Sequence, residues 1–152
     1  MRVNWEAIGA IGEMLGAAGV IITLAYLAVQ MRQSNRLAKR AAVQSLLAGR
    51  AEMNRFLASD PVLNDLVLKG TESPDELDEA EWRRFRTFVF TAIRHYEAIF
   101  LDNQDGLLPP GVWRSQQSSM ERTFSMPGIQ RLLRELESDF DEAFVRHVLL
   151  DQ

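Results

Sequence analysis

A long apolar run near the N-terminus most constrains how this chain can fold. Between Ala7 and Val29 the one charged residue is Glu13. A helix of about 23 residues is about 34 Å long, which is enough to cross a hydrocarbon core of about 30 Å. The run therefore predicts a membrane-spanning helix, with Trp5 and Tyr26 spaced so that each ring lies near one membrane interface.

Two other interpretations compete with a membrane anchor. A cleavable signal peptide has a basic start, a shorter apolar core and small residues at its cleavage site. Here Arg2 stands close to Glu6, the run is long, and no convincing A-x-A sequence follows it. A soluble core helix is the second alternative, because the mean hydropathy of the whole chain is ordinary.

The predicted anchor has two different sides on a helical wheel. One side, called the glycine side here, consists of Gly9, Gly12, Gly16, Gly19 and Thr23, and Trp5 and Gln30 extend it. The opposite side is apolar and suits lipid. Glycines spaced three, four and three apart let another backbone approach closely, as in small-xxx-small pairs of membrane helices. The pattern predicts a homo-oligomer joined through the glycine side. The alternative is packing of these glycines against later helices of the same chain.

Glu13 lies at the edge of the glycine side. An acid inside a membrane is costly and is usually paired, neutral or facing water. In a ring of helices, Glu13, Thr23 and Gln30 would line a polar seam, which makes a homo-oligomeric ion channel the alternative function. The simpler interpretation places Glu13 at the outer interface, where its side chain reaches water.

Positive charge is concentrated directly after the apolar run. The basic residues there are Arg32, Arg36, Lys39, Arg40 and Arg50, and no acid lies among them. Basic residues within about 15–20 positions of a span favour the cytoplasmic side. We therefore expect an inner-membrane protein with its N-terminus outside and its C-terminal domain in the cytoplasm. The basic cluster also suits contact with anionic lipid headgroups.

The remainder of the chain is acidic and contains no cysteine. Residues 51–152 have eleven Lys and Arg against nineteen Asp and Glu, a net charge of 11 − 19 = −8. That charge repels phosphates, so the composition argues against a nucleic-acid partner. The lack of cysteine excludes disulfides, zinc-thiolate sites and cysteine nucleophiles.

Helical patterning predicts an all-α fold with an anchor at residues 1–32 and a cytoplasmic helical domain at residues 33–152. No glycine or proline interrupts residues 20–48, so the first helix is expected to continue to about Ser59. Its later part is expected to have an apolar face, which consists of Val43, Leu46, Leu47, Met53, Phe56 and Leu57.

The later elements are predicted from their start and stop signals. Asp60 and Pro61 are expected to begin a helix that ends at Gly70. Asp78 and Glu81 resemble a capping box. A core helix is expected over 79–101, with Arg94 and Glu97 off its apolar face, and a turn is expected at 102–106. Pro109 and Pro110 are expected to begin a helix that reaches Phe124 and has Trp113 facing inward. The chain is then expected to form one helix or two over 129–136 and 140–150.

No pattern typical of catalysis, a metal site or a cofactor stands out. Residues 102–106 superficially resemble a calcium loop, but the glycine comes one position early and Trp113 stands where the loop needs glutamate. The nearest polar cluster is His95, Tyr96 and Glu97. Its structural interpretation pairs Arg94 with Glu97 and packs Tyr96 in the core. His95 as a general base is the alternative, although no partner nucleophile is visible.

An acidic run near the C-terminus is most simply a solvated helix face. It consists of Glu135, Glu137, Asp139, Asp141 and Glu142. Docking of a basic partner or a metal on this run is the other interpretation.

Several stretches resemble a family of uncharacterised bacterial single-pass membrane proteins. They are WEAIGAIGE, ITLAYLAVQMRQSNR, RHYEAIF, DGLLPPGVW and MPGIQRLL. The resemblance implies one N-terminal span and a cytoplasmic helical domain, and it brings no activity, cofactor or catalytic residue.

The sequence thus favours a membrane-anchored interaction or scaffold protein without catalytic activity. Its expected partners are the lipid bilayer, a second copy of the chain and a further protein. An enzyme of unknown class is the third hypothesis, after the channel, and would need a pocket that gathers His95, Glu97 or the acidic run.

Overall fold

The structure, a computed structural model, describes the backbone of residues 5–149 and the side chains of residue 9 and residues 12–149. This described part of the chain is helical apart from short connecting segments. Six α-helices follow one another: α1 (Trp5–Ser59), α2 (Pro61–Glu72), α3 (Glu79–Gln104), α4 (Pro110–Phe124), α5 (Pro127–Glu135) and α6 (Glu142–Leu149). Short 3₁₀ turns occupy Pro74–Glu76 and Glu137–Asp139. Residues 5–149 contain no β-strand, so the predicted all-α fold is confirmed.

The chain divides into two compact units, Met1–Ala38 and Lys39–Gln152. Both this division and the predicted boundary after residue 32 fall inside α1, which continues to Ser59 as predicted. The described part of the first unit is therefore a single helix. The second unit consists of the later part of α1 together with α2 to α6.

The helix of the first unit exposes its apolar side chains. Within Gly12–Ser59, α1 contains a segment that is long and apolar enough to cross a membrane, and none of that segment is buried. Met14 is 74% exposed and Ile22 is 69% exposed. A core helix of a soluble protein buries its apolar stripe, so this exposure argues against the soluble-core alternative. The side chain of Trp5, predicted to lie at an interface, is outside the described residues.

Helices α2 and α3 begin at capping residues that the sequence indicated. Asp60 Oδ1 accepts a hydrogen bond from the Leu63 N–H at 3.0 Å, and Pro61 takes the first position of α2. At the start of α3, Asp78 Oδ1 accepts from the Glu81 N–H at 2.8 Å while Glu81 Oε2 accepts from the Asp78 N–H at 3.0 Å. The predicted capping box is confirmed.

The core of the second unit lies between α3, α4, α5 and α6. Its most deeply buried side chains are Phe85, Val89, Ile93, Met120, Phe124, Leu132, Leu133, Phe144 and Val148, each at most 2% exposed. The Phe124 ring meets Phe144 edge-on at 5.7 Å between centroids, a favoured aromatic geometry. Trp113, predicted to face inward, is half-buried 6.3 Å from the Phe100 ring.

Helices α2 and α5 approach so closely that only glycine fits at their contact. A Cβ atom added to Gly128 would overlap the carbonyl oxygen of Gly70. A Cβ atom added to Gly70 would overlap the Phe85 ring. The two glycines therefore let α2 and α5 close directly over Phe85, which is 0% exposed.

Two residues of the predicted apolar face of α1 are exposed. Leu47 is 60% exposed and Phe56 is 56% exposed. Leu47 follows the buried Leu46 by one residue and so points about 100° away from it around the helix. Phe56 lies along a groove, described below, that no described helix of the second unit covers.

Two helix ends also differ from the prediction. Helix α2 continues past Gly70 to Glu72, and α3 continues to Gln104 through part of the predicted turn at 102–106. Gly70 has no positive φ, whereas Gly106 has φ +67° and follows the end of α3. The left-handed glycine that ends a helix is thus Gly106 and not Gly70. The C-terminal residues form two helices, α5 and α6.

The glycine contact gives a test of the packing. Gly128→Ala should lower the free energy of unfolding by about 1–3 kcal/mol or more, because the added methyl group meets a backbone atom that cannot rotate away. Denaturant unfolding followed by circular dichroism measures this change. Gly111→Ala is the matched control, since a Cβ there meets nothing within 4 Å. If both variants were equally stable, the close contact of α2 and α5 would be contradicted.

Candidate functional site

The glycine side of α1 is open in the first unit. A Cβ atom built on Gly9, Gly12, Gly16 or Gly19 meets nothing within 4 Å among the described residues. Small residues at this spacing leave a shallow furrow in which a second helix can bring its backbone close. The structure therefore leaves the glycine side accessible along its whole described length.

The polar residues of the same side form hydrogen bonds within α1. Thr23 Oγ1 donates to the Gly19 carbonyl oxygen at 2.8 Å. Gln30 Nε2 donates to the Tyr26 hydroxyl oxygen at 2.5 Å. Hydrogen bonds within the helix lower the cost of placing such groups among apolar neighbours. Glu13 is exposed, as are the basic residues Arg32, Arg36, Lys39 and Arg40.

A groove of about 760 Å³ lies in the second unit between the end of α1 and α3. We call it the α1–α3 groove. Its apolar lining comes from Met53, Phe56, Leu63 and Phe88. Cavities of about 300–1,000 Å³ with an apolar lining and few polar groups are typical of small-molecule sites. The sequence did not predict this groove, because helical periodicity places Met53 and Phe56 on an apolar face without showing what covers that face.

One end of the groove is narrowed by Gly49 and His95. A Cβ atom on Gly49 would come within 2.7 Å of His95 Cε1, so the glycine is what lets α1 meet the imidazole. His95 is half-buried. Burial lowers the pKa of His95 below its ordinary value, and the positive charge of Arg50 lowers it further. His95 is therefore a neutral group at the narrow end at pH 7.

The opposite part of the groove has two exposed arginines, Arg83 and Arg84, and Glu52 also lines it. Neither arginine forms an ion pair with the residues described in the structure. The hydroxyl groups of Thr87 and Thr91, which also line the groove, donate to backbone oxygens of α3. The wall of α3 is thus apolar along its middle and cationic at one end.

The predicted cluster of His95 and Glu97 is not brought together. Glu97 was expected off the apolar face, but it is buried at 6% exposure. Its Oε2 accepts from Arg94 Nη1 at 2.6 Å, and its Oε1 accepts from the Asp141 N–H at 2.5 Å. The pairing of Arg94 with Glu97 is confirmed. Glu97 thus joins α3 to the start of α6, where the Asp141 side chain caps the first turn.

Tyr96 packs in the core, as the structural interpretation expected. It is 8% exposed, and its hydroxyl lies 3.2 Å from both Ser119 Oγ and Thr123 Oγ1. The side chain of Gln116 also lies inside, and its Oε1 has no hydrogen-bond partner among the described residues. A cavity of about 180 Å³ next to Gln116 and Tyr96 is large enough for ordered water to satisfy that oxygen.

The acidic run is exposed at all five positions. Glu135 pairs with Arg131 at 3.2 Å and Glu142 with Arg146 at 3.7 Å, each within its own helix. In the described part of the chain, no three His, Cys, Asp or Glu residues are placed to hold a metal ion. The run is a solvated face, as its simplest interpretation predicted.

Comparison with known protein families, with curated proteins and with solved structures found no match to this chain. The function must therefore be argued from the two open surfaces, the glycine side of α1 and the α1–α3 groove.

The pH dependence of the protein's stability tests whether the His95 imidazole is buried and neutral. Unfolded His95 titrates near 6.5, whereas its pKa in the folded protein is lower. Between these two pKa values the unfolded chain binds more protons, so stability falls as the pH falls through this window and is unaffected above it. Thermal unfolding from pH 7.5 to 5 should show a weaker loss of stability in His95→Gln than in the native protein.

Arg50→Gln separates the two causes of the lowered pKa. It should weaken the pH dependence less than His95→Gln does, because burial is the larger cause. An identical pH dependence in His95→Gln and the native protein would contradict the buried, neutral imidazole.

Proposed function

We propose that this chain is a membrane-anchored, self-associating interaction protein without catalytic activity. The observation that carries the proposal is the part of α1 in the first unit, which is long and apolar, has exposed side chains wherever the structure describes them, and has an open glycine side. Exposed apolar surface of this extent is typical of a segment that lies in lipid or against another protein.

The anchor is proposed to cross an inner membrane once, with the N-terminus outside. The exposed basic cluster from Arg32 to Arg40 supports this orientation, because positive residues that follow a span favour the cytoplasmic side. In that position the cluster would meet anionic headgroups. The resemblance of the sequence to uncharacterised bacterial single-pass proteins agrees with this topology and adds no activity.

Self-association is proposed to occur through the glycine side. Helices in lipid gain little from burying apolar side chains, so they associate where small residues allow close backbone packing. The hydrogen bonds of Thr23 and Gln30 inside α1 support an interface of this kind more than a polar pore, because neither side chain depends on water in a channel. The second unit would then set the geometry of the oligomer or bind a further protein.

The association has a direct test. Gly12→Leu together with Gly16→Leu should reduce the full-length protein to a single protomer mass, because two large side chains hold the backbones apart. Sedimentation equilibrium in mild detergent, corrected for bound detergent, measures this mass. Ala18→Leu with Ala25→Leu is the matched control on the opposite side of α1 and should leave the native mass unchanged.

A native protein of single protomer mass would overturn self-association. A native oligomer that both pairs of substitutions leave intact would place the interface elsewhere. Ion conductance in liposomes that is lost in Glu13→Gln would favour the channel over the interaction protein.

The orientation is tested separately. The native chain has no cysteine, so a single introduced thiol reports its own position. A membrane-impermeant maleimide should label Asn4→Cys in intact cells and Asp105→Cys only after the membrane is opened. The reverse pattern would place the second unit outside, and labelling of both in intact cells would show that the chain does not span the membrane.

A further inference from the structure

The α1–α3 groove combines an apolar wall with cationic groups at one end. Six residues of α3 line the groove, and four of them, Arg84, Phe88, Thr91 and His95, are spaced four, three and four apart on one side of the helix. From Arg83 to His95 the helix is about 18 Å long. The groove is therefore elongated along α3, with Arg83 and Arg84 at one end and the His95 imidazole, close to Arg50, at the other.

The described helices cover the apolar residues of the groove only in part. Phe56 is 56% exposed, and Met53, Leu63 and Phe88 are half-buried. The threonine hydroxyls along the wall are already bonded to Arg83 and Thr87 carbonyl oxygens, at 2.9 Å and 3.4 Å. An occupant of the middle of the groove thus meets mainly carbon atoms and need not supply polar groups.

The two arginines at one end of the groove favour one kind of occupant. Arg83 and Arg84 line the groove with one acid, Glu52, although residues 51–152 as a whole are strongly acidic. The groove lining therefore carries more basic than acidic side chains, in contrast to the acidic composition of residues 51–152. Arginine binds carboxylate and phosphate oxygens through parallel hydrogen bonds, so an acidic group fits here.

We propose that the α1–α3 groove binds an anionic single-chain amphiphile, such as a long-chain carboxylate. The acidic group lies between Arg83 and Arg84, and the hydrocarbon chain follows Phe56, Met53 and Phe88 toward His95. This inference is independent of the anchor, because every residue of the site belongs to the second unit.

Photochemical labelling tests the proposal on the full-length protein in nanodiscs of zwitterionic lipid. The probe is a tetradecanoate that carries a diazirine near its methyl end, and mass spectrometry of the digested protein locates its adducts. We expect adducts on the peptides that contain Met53, Phe56 and Phe88, and excess unlabelled tetradecanoate should remove them.

Two pairs of variants separate the acidic group from the chain. Arg83→Glu with Arg84→Glu should reduce labelling of the groove about tenfold, since a charge-assisted contact is replaced by repulsion. Arg86→Glu, on the same helix outside the groove, should not reduce this labelling.

Thr91→Trp should block labelling by filling the groove, whereas Ala98→Trp should leave the labelling unchanged. Both positions are exposed, so the fold tolerates the larger side chain.

Three results would overturn the proposal. Adducts confined to residues 14–31 would mean that the probe binds only beside the anchor. Equal labelling by the carboxylate and by the corresponding alcohol would show that the arginines recognise no acid. Labelling of isolated protomers but not of the oligomer would mean that a second copy of the chain covers the groove.

Discussion

The packing of the second unit depends on the contact between Gly70 and Gly128. Because neither residue has a Cβ atom, α2 and α5 meet backbone to backbone and enclose the Phe85 ring. Phe85 lies on α3, so this contact fixes the face of α3 that enters the core. The neighbouring side of α3, which carries Phe88 three positions after Phe85, lines the α1–α3 groove. Helix α1 approaches α3 closely at Gly49 and His95, where a Cβ atom on the glycine would meet the imidazole. The glycine pair Gly70 and Gly128 therefore determines where the core closes around Phe85.

Helix α1 uses glycine in two different ways. In its first part, Gly12 and Gly16 have no neighbour among the described residues, so their small size serves no contact inside the described chain. In its later part, Gly49 contacts His95, and this close contact requires a residue without a side chain. Glycine in a helix interior costs about 0.5–1 kcal/mol relative to alanine. The close contact with His95 explains why glycine is present at position 49 despite this cost. For Gly12 and Gly16, close packing against an external helix would give the same explanation.

Much of the fold was predictable because it follows from local rules. Caps at Asp60 and Asp78, and the periodicity of α3, depend on neighbours within a few residues. The glycine side is likewise visible in the sequence, since it needs only the helical repeat. The burial of Glu97 was not predictable, because its partner, the Asp141 N–H, lies 44 positions away. The same holds for Gly128, whose need for glycine arises from another helix.

The exposure of Phe56 shows why the candidate groove could not be predicted. Periodicity tells which side of a helix is apolar, but not whether the same chain supplies something to cover it. Leu46 and Phe56 are both apolar residues of α1, and the structure covers Leu46 while Phe56 stays exposed. An apolar side chain that folding leaves uncovered still gains from burial, at about 25 cal/mol per Å² of area removed from water. The described residues leave that gain at Phe56 to another molecule, and the proposed amphiphile would supply it with its acidic group at Arg83 and Arg84.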